Sequence, residues 1–257
     1  MSLTFVAVVS AVGLFLGMLL LFEAGRYVGT KRMARDPDAA SSSGPAEAGV
    51  FGLLGLLLAL TFSGAASRFQ ARRHLITEEA NAVGTAYLRV DVLPSDAQPE
   101  VRQLFRRYLD ARVASHPRDE DASGARARSS DAAALQAQIW SAAVALSARD
   151  ATGNGAKLLL PALNDMFDIA TTRTLAMEDH PPRLIFILLA GLSLVSSLLV
   201  GYVSCGSRTR NWFPQLILAA TMSLTYYVIL DLEFPRHGLI RVDDADHVLV
   251  ELRNSMR

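Results

Sequence analysis

Apolar residues follow two patterns along this chain. In four stretches, Leu3–Phe22, Val50–Ala66, Leu184–Val203 and Phe213–Leu232, they run almost without interruption. Each stretch holds roughly the 17 to 25 residues a helix needs to cross a bilayer. From Ser67 to Pro182 they recur instead at steps of three and four, the period of amphipathic helices.

Four such helices fit that segment. The first carries Phe69, Ile76, Ala80, Val83, Tyr87 and Val90 on one face and is ended by the two prolines of "LPSDAQP". No strong breaker lies between Thr61 and Leu93, so the second span is predicted to run unbroken past Arg73 to about Val92. At 1.5 Å per residue it would rise roughly 30 to 40 Å beyond the bilayer. The second helix shows Val101, Leu104, Phe105, Tyr108 and Val113; the third, Leu135, Ile139, Ala142 and Leu146; the fourth, opening near Pro161, Leu163, Phe167, Ala170, Thr174 and Met177. The pattern predicts an all-α membrane protein: four transmembrane helices with an extramembrane four-helix block inserted between spans two and three.

The expected parts are 1–66 (spans one and two with a linker), 67–182 (the block), 183–234 (spans three and four) and 235–257 (a tail). Ser, Gly and Pro near Ala40 to Pro45 predict a flexible link. The tail predicts a turn at Pro235 to Gly238, a short extended piece and an amphipathic helix from about Asp244. "CGSRTRN" is short enough to make spans three and four antiparallel neighbours, with Trp212 at headgroup level. The first span lacks a basic n-region and a cleavage site and is expected to stay as an anchor. Four spans place the block on the same side as both termini. Lys and Arg near the span ends are almost balanced, so charge alone does not orient the chain.

Composition changes this picture little. The 25 basic and 25 acidic residues cancel and suggest no nucleic-acid partner. One cysteine, Cys205, excludes an internal disulfide and is too few thiolates for a zinc or iron–sulfur site. The five histidines are scattered without ligand spacing and read as surface residues. No metal site or cofactor is expected. Nucleophile elbow, phosphate loop, dinucleotide fingerprint and HExxH motif are all missing, which weighs against an enzyme.

Two strings carry a resemblance. "GLLLALTFSGAASRFQARRHLITEEANAVGTAYLRVDVLP" and "LDLEFPRHGLIRV" resemble signature segments of a bacterial membrane family labelled bestrophin-like, distantly similar to bestrophin anion channels. The resemblance implies a multi-pass protein of the bacterial inner membrane with a cytoplasmic helical block and cytoplasmic termini. It also implies a homo-oligomer, pentameric as in bestrophins, and an ion path along the second span. The acidic calcium-clasp pattern of animal bestrophins finds no match here, so calcium gating is not implied.

Several residues are candidates for that path. Phe51, Gly55, Leu58, Phe62, Ala65 and Phe69 form one helical stripe, of which Leu58, Phe62, Ala65 and Phe69 could line a dewetting constriction or simply face lipid and neighbouring helices. Gly52, Gly55, Ala59, Ser63 and Ala66 form a small-residue stripe suited to close packing. Arg68, Arg72 and Arg73 would form a cationic ring in an oligomer and attract an inorganic anion; they equally serve to anchor the span to lipid headgroups. Glu23, Arg26, Asp231, Glu233 and Arg236 form a charge cluster at the span boundaries, with Glu23 and Arg26 spaced as an i,i+3 pair. Glu79 is placed to pair with Arg72, and Thr77, Asn81 and Gly84 form a face suited to a subunit contact. "GLFLG", Gly13 to Gly17, has the small-xxx-small spacing of helix crossings, and Ser193, Ser197, Gly201 and Ser204 share a face that packs or lines water. A membrane-anchored sensor or scaffold, whose block binds a ligand or a protein, is the competing reading. A transporter is weaker, because no pair of broken spans recurs.

Overall fold

A computed structural model describes residues 3–35, 44–114, 122–149, 153–206, 212–234 and 243–256. The described chain is helical throughout: α1 (Leu3–Met33), α2 (Gly44–Leu88), α3 (Gln98–Ala114), α4 (Ala122–Ser147), α5 (Leu160–Glu178), α6 (Arg183–Val203), α7 (Phe213–Glu233) and α8 (Asp243–Ser255). Four helical runs, Thr4–Met33, Glu47–Val92, Lys157–Val203 and Phe213–Glu233, are long and apolar enough to cross a membrane. As the sequence predicts, α2 passes Arg73 without a break; a 3-10 turn, Arg89–Val92, follows it. Leu93 then becomes extended (φ −79°, ψ 160°), the conformation favoured before a proline such as Pro94. The expected turn at Pro235 to Gly238 and the extended piece after it lie outside the described residues, as does most of the link at Ala40 to Pro45; Gly44 and Pro45 already belong to α2.

The chain divides into two compact units, residues 1–69 with 180–240 and residues 70–179 with 241–257. In the first unit, α1 packs on both α6 and α7. Its core is built from Leu14 and Met18 of α1, Leu54 and Ala65 of α2, Leu189 of α6, and Ala219, Tyr226, Ile229 and Leu232 of α7. The α1–α6 contact brings backbone against backbone. A Cβ on Gly201 would lie 2.0 Å from the Phe22 carbonyl oxygen, one on Gly25 2.0 Å from that of Leu198, and one on Gly29 2.5 Å from that of Tyr202. Only glycine permits this approach. The crossing therefore uses Gly25-xxx-Gly29 against Gly201, a correction to the expectation for Gly13-xxx-Gly17: a Cβ on Gly13 would meet nothing within 4 Å, and one on Gly17 would meet only the Leu194 side chain at 3.0 Å.

The serine face of α6 belongs to the same contact. Ser197 Oγ donates to the Met18 carbonyl at 2.5 Å and accepts from Gln215 Nε2 of α7 at 2.7 Å. With Ser193 and Ser197 buried, this face packs. Trp212 sets its ring 6.3 Å from that of Phe22.

In the second unit, the α2 face predicted from the sequence is the buried one: Ile76, Ala80, Val83, Tyr87 and Val90 are all inside. Buried in the same unit are Val101, Phe105, Tyr108 and Leu109 of α3, Leu135 and Ile139 of α4, and Leu163, Met166 and Ala170 of α5, and Tyr87 meets Phe105 edge-on with ring centroids 5.8 Å apart. Two predicted stripes are shifted. Val113 is exposed while Arg112 is buried, and α5 turns Met166 and Arg173 inward, leaving Leu175 61% exposed. Helix α8 packs on α3, burying Leu249 and Met256 and pairing Arg253 with Asp110 at 2.7 Å.

Candidate functional site

The sequence brings charge into positions where apolar side chains are usual. On α2, Arg72, Ile76, Glu79, Ala80 and Val83 share one face, and all are buried. Arg112 continues the buried face of α3, and Arg173 that of α5. These elements meet at Glu79, which is fully enclosed and accepts from Arg112 Nε through one oxygen and from Arg173 Nη1 through the other, both at 2.6 Å. Burial pushes the Glu79 carboxyl up, but the hydrogen bonds and charges of Arg112 and Arg173 outweigh it and hold the group below the usual carboxylate range. Beside them Tyr108 accepts from Gln136 at 3.2 Å, and its phenol is pushed up to about 12, chiefly by burial. The expected Glu79–Arg72 pair is thus replaced by Glu79 with Arg112 and Arg173.

Arg72 has a different task. Its guanidinium donates to the carbonyls of Ala176 at 3.0 Å and Asp179 at 2.8 Å, and so closes the C-terminal end of α5, where carbonyls lack helical partners. It is 1% exposed, so it contributes no charge to a surface ring. Arg68 pairs with Glu233 of α7: Nε and Nη2 lie 3.0 and 2.9 Å from one carboxylate oxygen. His180 Nδ1 lies 3.2 Å from the other oxygen of Glu233, with its ring 4.8 Å from that of Phe234. Only Arg73 of the three arginines is exposed. The cationic ring expected from the sequence is divided into an ion pair, a helix cap and one surface arginine.

The predicted pore stripe is divided as well. Phe62 is 44% exposed, Ala65 is completely buried in the core of its unit, and Leu58 and Phe69 are half-buried against that core. Ala65 is therefore an internal packing residue, because the face it shares with Leu54 turns inward. The small residues Gly52, Gly55, Ala59 and Ser63 face outward, and a Cβ on Gly52 or Gly55 would meet nothing within 4 Å. Gly84, expected on an open face, lies 3.5 Å from Leu252 of α8 measured from an added Cβ. Of the span-boundary cluster, Glu233 is enclosed, Asp231 is buried and accepts from the Tyr227 hydroxyl at 3.3 Å, and Glu23 and Arg26 are half-buried on α1. Arg236 lies outside the described residues. Among the described residues no three His, Cys, Asp or Glu side chains gather as metal ligands would.

Arg112, Arg173 and His180 were not singled out from the sequence. A signal for the first two exists: each stands three or four residues after a core position, at Tyr108 and Ala170, in register with the apolar face. His180 follows α5 in "DHPPR", and nothing in its spacing points to Glu233.

A family model described as a bestrophin-like domain matches residues 14–246. Similar in fold are crystal structures of a bacterial bestrophin homologue from Klebsiella pneumoniae. The form with a tryptophan-to-alanine substitution has a TM-score of 0.67 at 12% identity, covering 96% of this chain and 99% of the other. The form with a tyrosine-to-alanine substitution has 0.65 at 12% identity, covering 93% and 98%. Comparison with curated proteins gave no match. The matched segment takes in most of the first apolar run, the other three whole and the helical insertion between them, and the chain belongs to the bestrophin-like family of membrane proteins.

Proposed function

We propose that the protein is an oligomeric ion channel of the bacterial inner membrane that passes inorganic anions, with α2 arranged around the symmetry axis. The observation that carries this reading is the family match over residues 14–246. In this arrangement the copies form a ring, pentameric as the resemblance suggests, and the extramembrane helices and both termini face the cytoplasm. Phe62, exposed on its own protomer, supplies the apolar constriction, where a narrow dry segment opposes ion passage by dewetting. Leu58 and Phe69 back it from the side, and Ala65 has no part in it. Arg68 is compensated by Glu233 and sets the position of α2 against α7. Anion preference then rests on Arg73 and on uncharged donors of α2.

The test is the assembly state of the purified protein, followed by single-channel recording of the wild type and Phe62→Ala. A ring that conducts, with a larger conductance in Phe62→Ala at unchanged ion preference, supports the reading. A monomer, or an oligomer that stays silent under voltage, pH and calcium changes, would transfer support to a membrane-anchored sensor or scaffold.

A further inference from the structure

Along the extramembrane part of α2 Arg73 is exposed, but beyond it no Asp, Glu, Lys or Arg stands at an exposed position before the helix ends at Leu88. On a helix of a globular protein the charged side chains ordinarily face out and the apolar ones in. Here Arg72 and Glu79 are buried, at 1% and 0% exposure. The exposed residues from Thr77 to Leu88 are Thr77, Asn81, Thr85 and Leu88, none of them charged. Gln70 and His74 extend the same face one to two turns upstream, since successive members stand three or four residues apart. His74 Nε2 lies 3.1 Å from Glu78, a half-buried carboxylate at the margin of the stripe.

A row of exposed hydroxyls and amides fits two uses poorly and one well. As an ordinary solvated surface it lacks the charges that α3 shows on its outward side at Glu100, Arg107 and Asp110. As the centre of a subunit contact it lacks the aromatic and arginine anchors that carry binding energy; its one large apolar residue, Leu88, stands at its very end. An ion path needs donors that replace part of a hydration shell and are weak enough to release the ion again. Hydroxyl and carboxamide groups repeated at each turn supply that.

From this we infer that Thr77, Asn81 and Thr85 face the conduction path and contact a partly hydrated monovalent anion through their O–H and N–H groups. The inference rests on the channel reading and adds to it the residues the ion meets after the constriction. It also accounts for the burial of Arg72 and Glu79: turned inward, neither of these two charges faces the ion, and the carboxylate at the margin, Glu78, lies 3.1 Å from His74 Nε2.

The test uses the full-length protein in planar bilayers under a salt gradient. Asn81→Asp and Asn81→Lys are compared with Gln103→Asp, a charge placed on the exposed side of α3. A single charge about 8 Å from the ion in water changes its local concentration roughly twofold, and in an oligomer the energies of the copies add, so the factor compounds. Asn81→Asp is expected to lower the anion-to-cation permeability ratio at least about twofold and Asn81→Lys to raise it by a similar factor, with Gln103→Asp unchanged. The double variant Thr77→Val, Thr85→Val, which removes donors without adding charge, is expected to reduce unitary conductance while the oligomer stays intact. Conduction by the wild type with no shift in either Asn81 variant overturns this inference and leaves the channel reading standing. Dissociation of the oligomer in the Asn81 or valine variants assigns the face to subunit contact and overturns it too. A silent wild type removes both readings.

Discussion

Replacing Gly201 by alanine is expected to break the closest helix contact of the membrane unit. The new methyl carbon would lie 2.0 Å from the Phe22 carbonyl oxygen, 2.8 Å from its carbonyl carbon and 3.0 Å from its Cα. All three are backbone atoms, so no side chain can swing aside. An ordinary carbon–oxygen approach is about 3.3 Å, and α1 and α6 must therefore part by on the order of 1 Å. One turn earlier on the two helices, Ser197 donates to Met18 at 2.5 Å, and the same movement stretches that bond. Overpacking of a tight contact costs about 1–3 kcal/mol, and a lost buried hydrogen bond adds about 1 kcal/mol. Gly13→Ala is the control, because its Cβ meets nothing within 4 Å while it shares the helix-propensity gain of replacing glycine. Gly201→Ala should be less stable than Gly13→Ala by about 2–4 kcal/mol. Reversible unfolding of the detergent-solubilised variants in mixed micelles measures this difference. A difference within about 0.5 kcal/mol, the range of an unremarkable surface change, would refute the backbone-contact account.

Other expected outcomes follow from the charged residues. Glu79→Gln leaves two buried guanidiniums facing a neutral amide and should destabilise the protein by about 3–5 kcal/mol in denaturant unfolding. Because the folded Glu79 carboxyl titrates below its unfolded value, the unfolded chain binds more protons as pH falls. Its stabilisation is complete above the ordinary carboxylate pKa of about 4.3 and is lost as pH drops through the lowered folded value. A pH series should show this acid-side loss in the wild type and a smaller one in Glu79→Gln. Arg72→Gln uncovers carbonyls at the end of α5 and should cost about 2–3 kcal/mol, whereas Arg73→Gln, on the surface, should cost under about 1 kcal/mol; equal losses in the two would contradict the division of the arginines. Reporters inserted at Glu120 and Ser255 should be found on the same side of the membrane, and opposite sides would remove the proposed topology.

What the sequence discloses and what it conceals have physical causes. The spans were legible because bilayer crossing demands an uninterrupted apolar run, and the buried face of α2 from Ile76 to Val90 because one helical period carries it. The same periodicity misplaced charge. Arg112 and Arg173 look solvated by residue type, and only their register shows that they point inward, where Glu79 compensates them. Small-residue spacing found Gly13 and Gly17, yet Gly25, Gly29 and Gly201 are the residues that touch backbone. Spacing alone does not say which of several glycine pairs meets a neighbour. The pore stripe failed at Ala65 for a related reason: a helix in an apolar solvent is hydrophobic all round, so periodicity cannot separate its inward face from its outward one.

Channel function is tested most directly by the reversal potential of the reconstituted wild-type protein in a potassium chloride gradient across a planar bilayer. An anion channel of the bestrophin type predicts a current that reverses near the chloride equilibrium potential and persists when potassium is replaced by a bulky cation. Reversal near the potassium potential would contradict anion conduction, and the absence of current from an intact oligomer would contradict the channel itself.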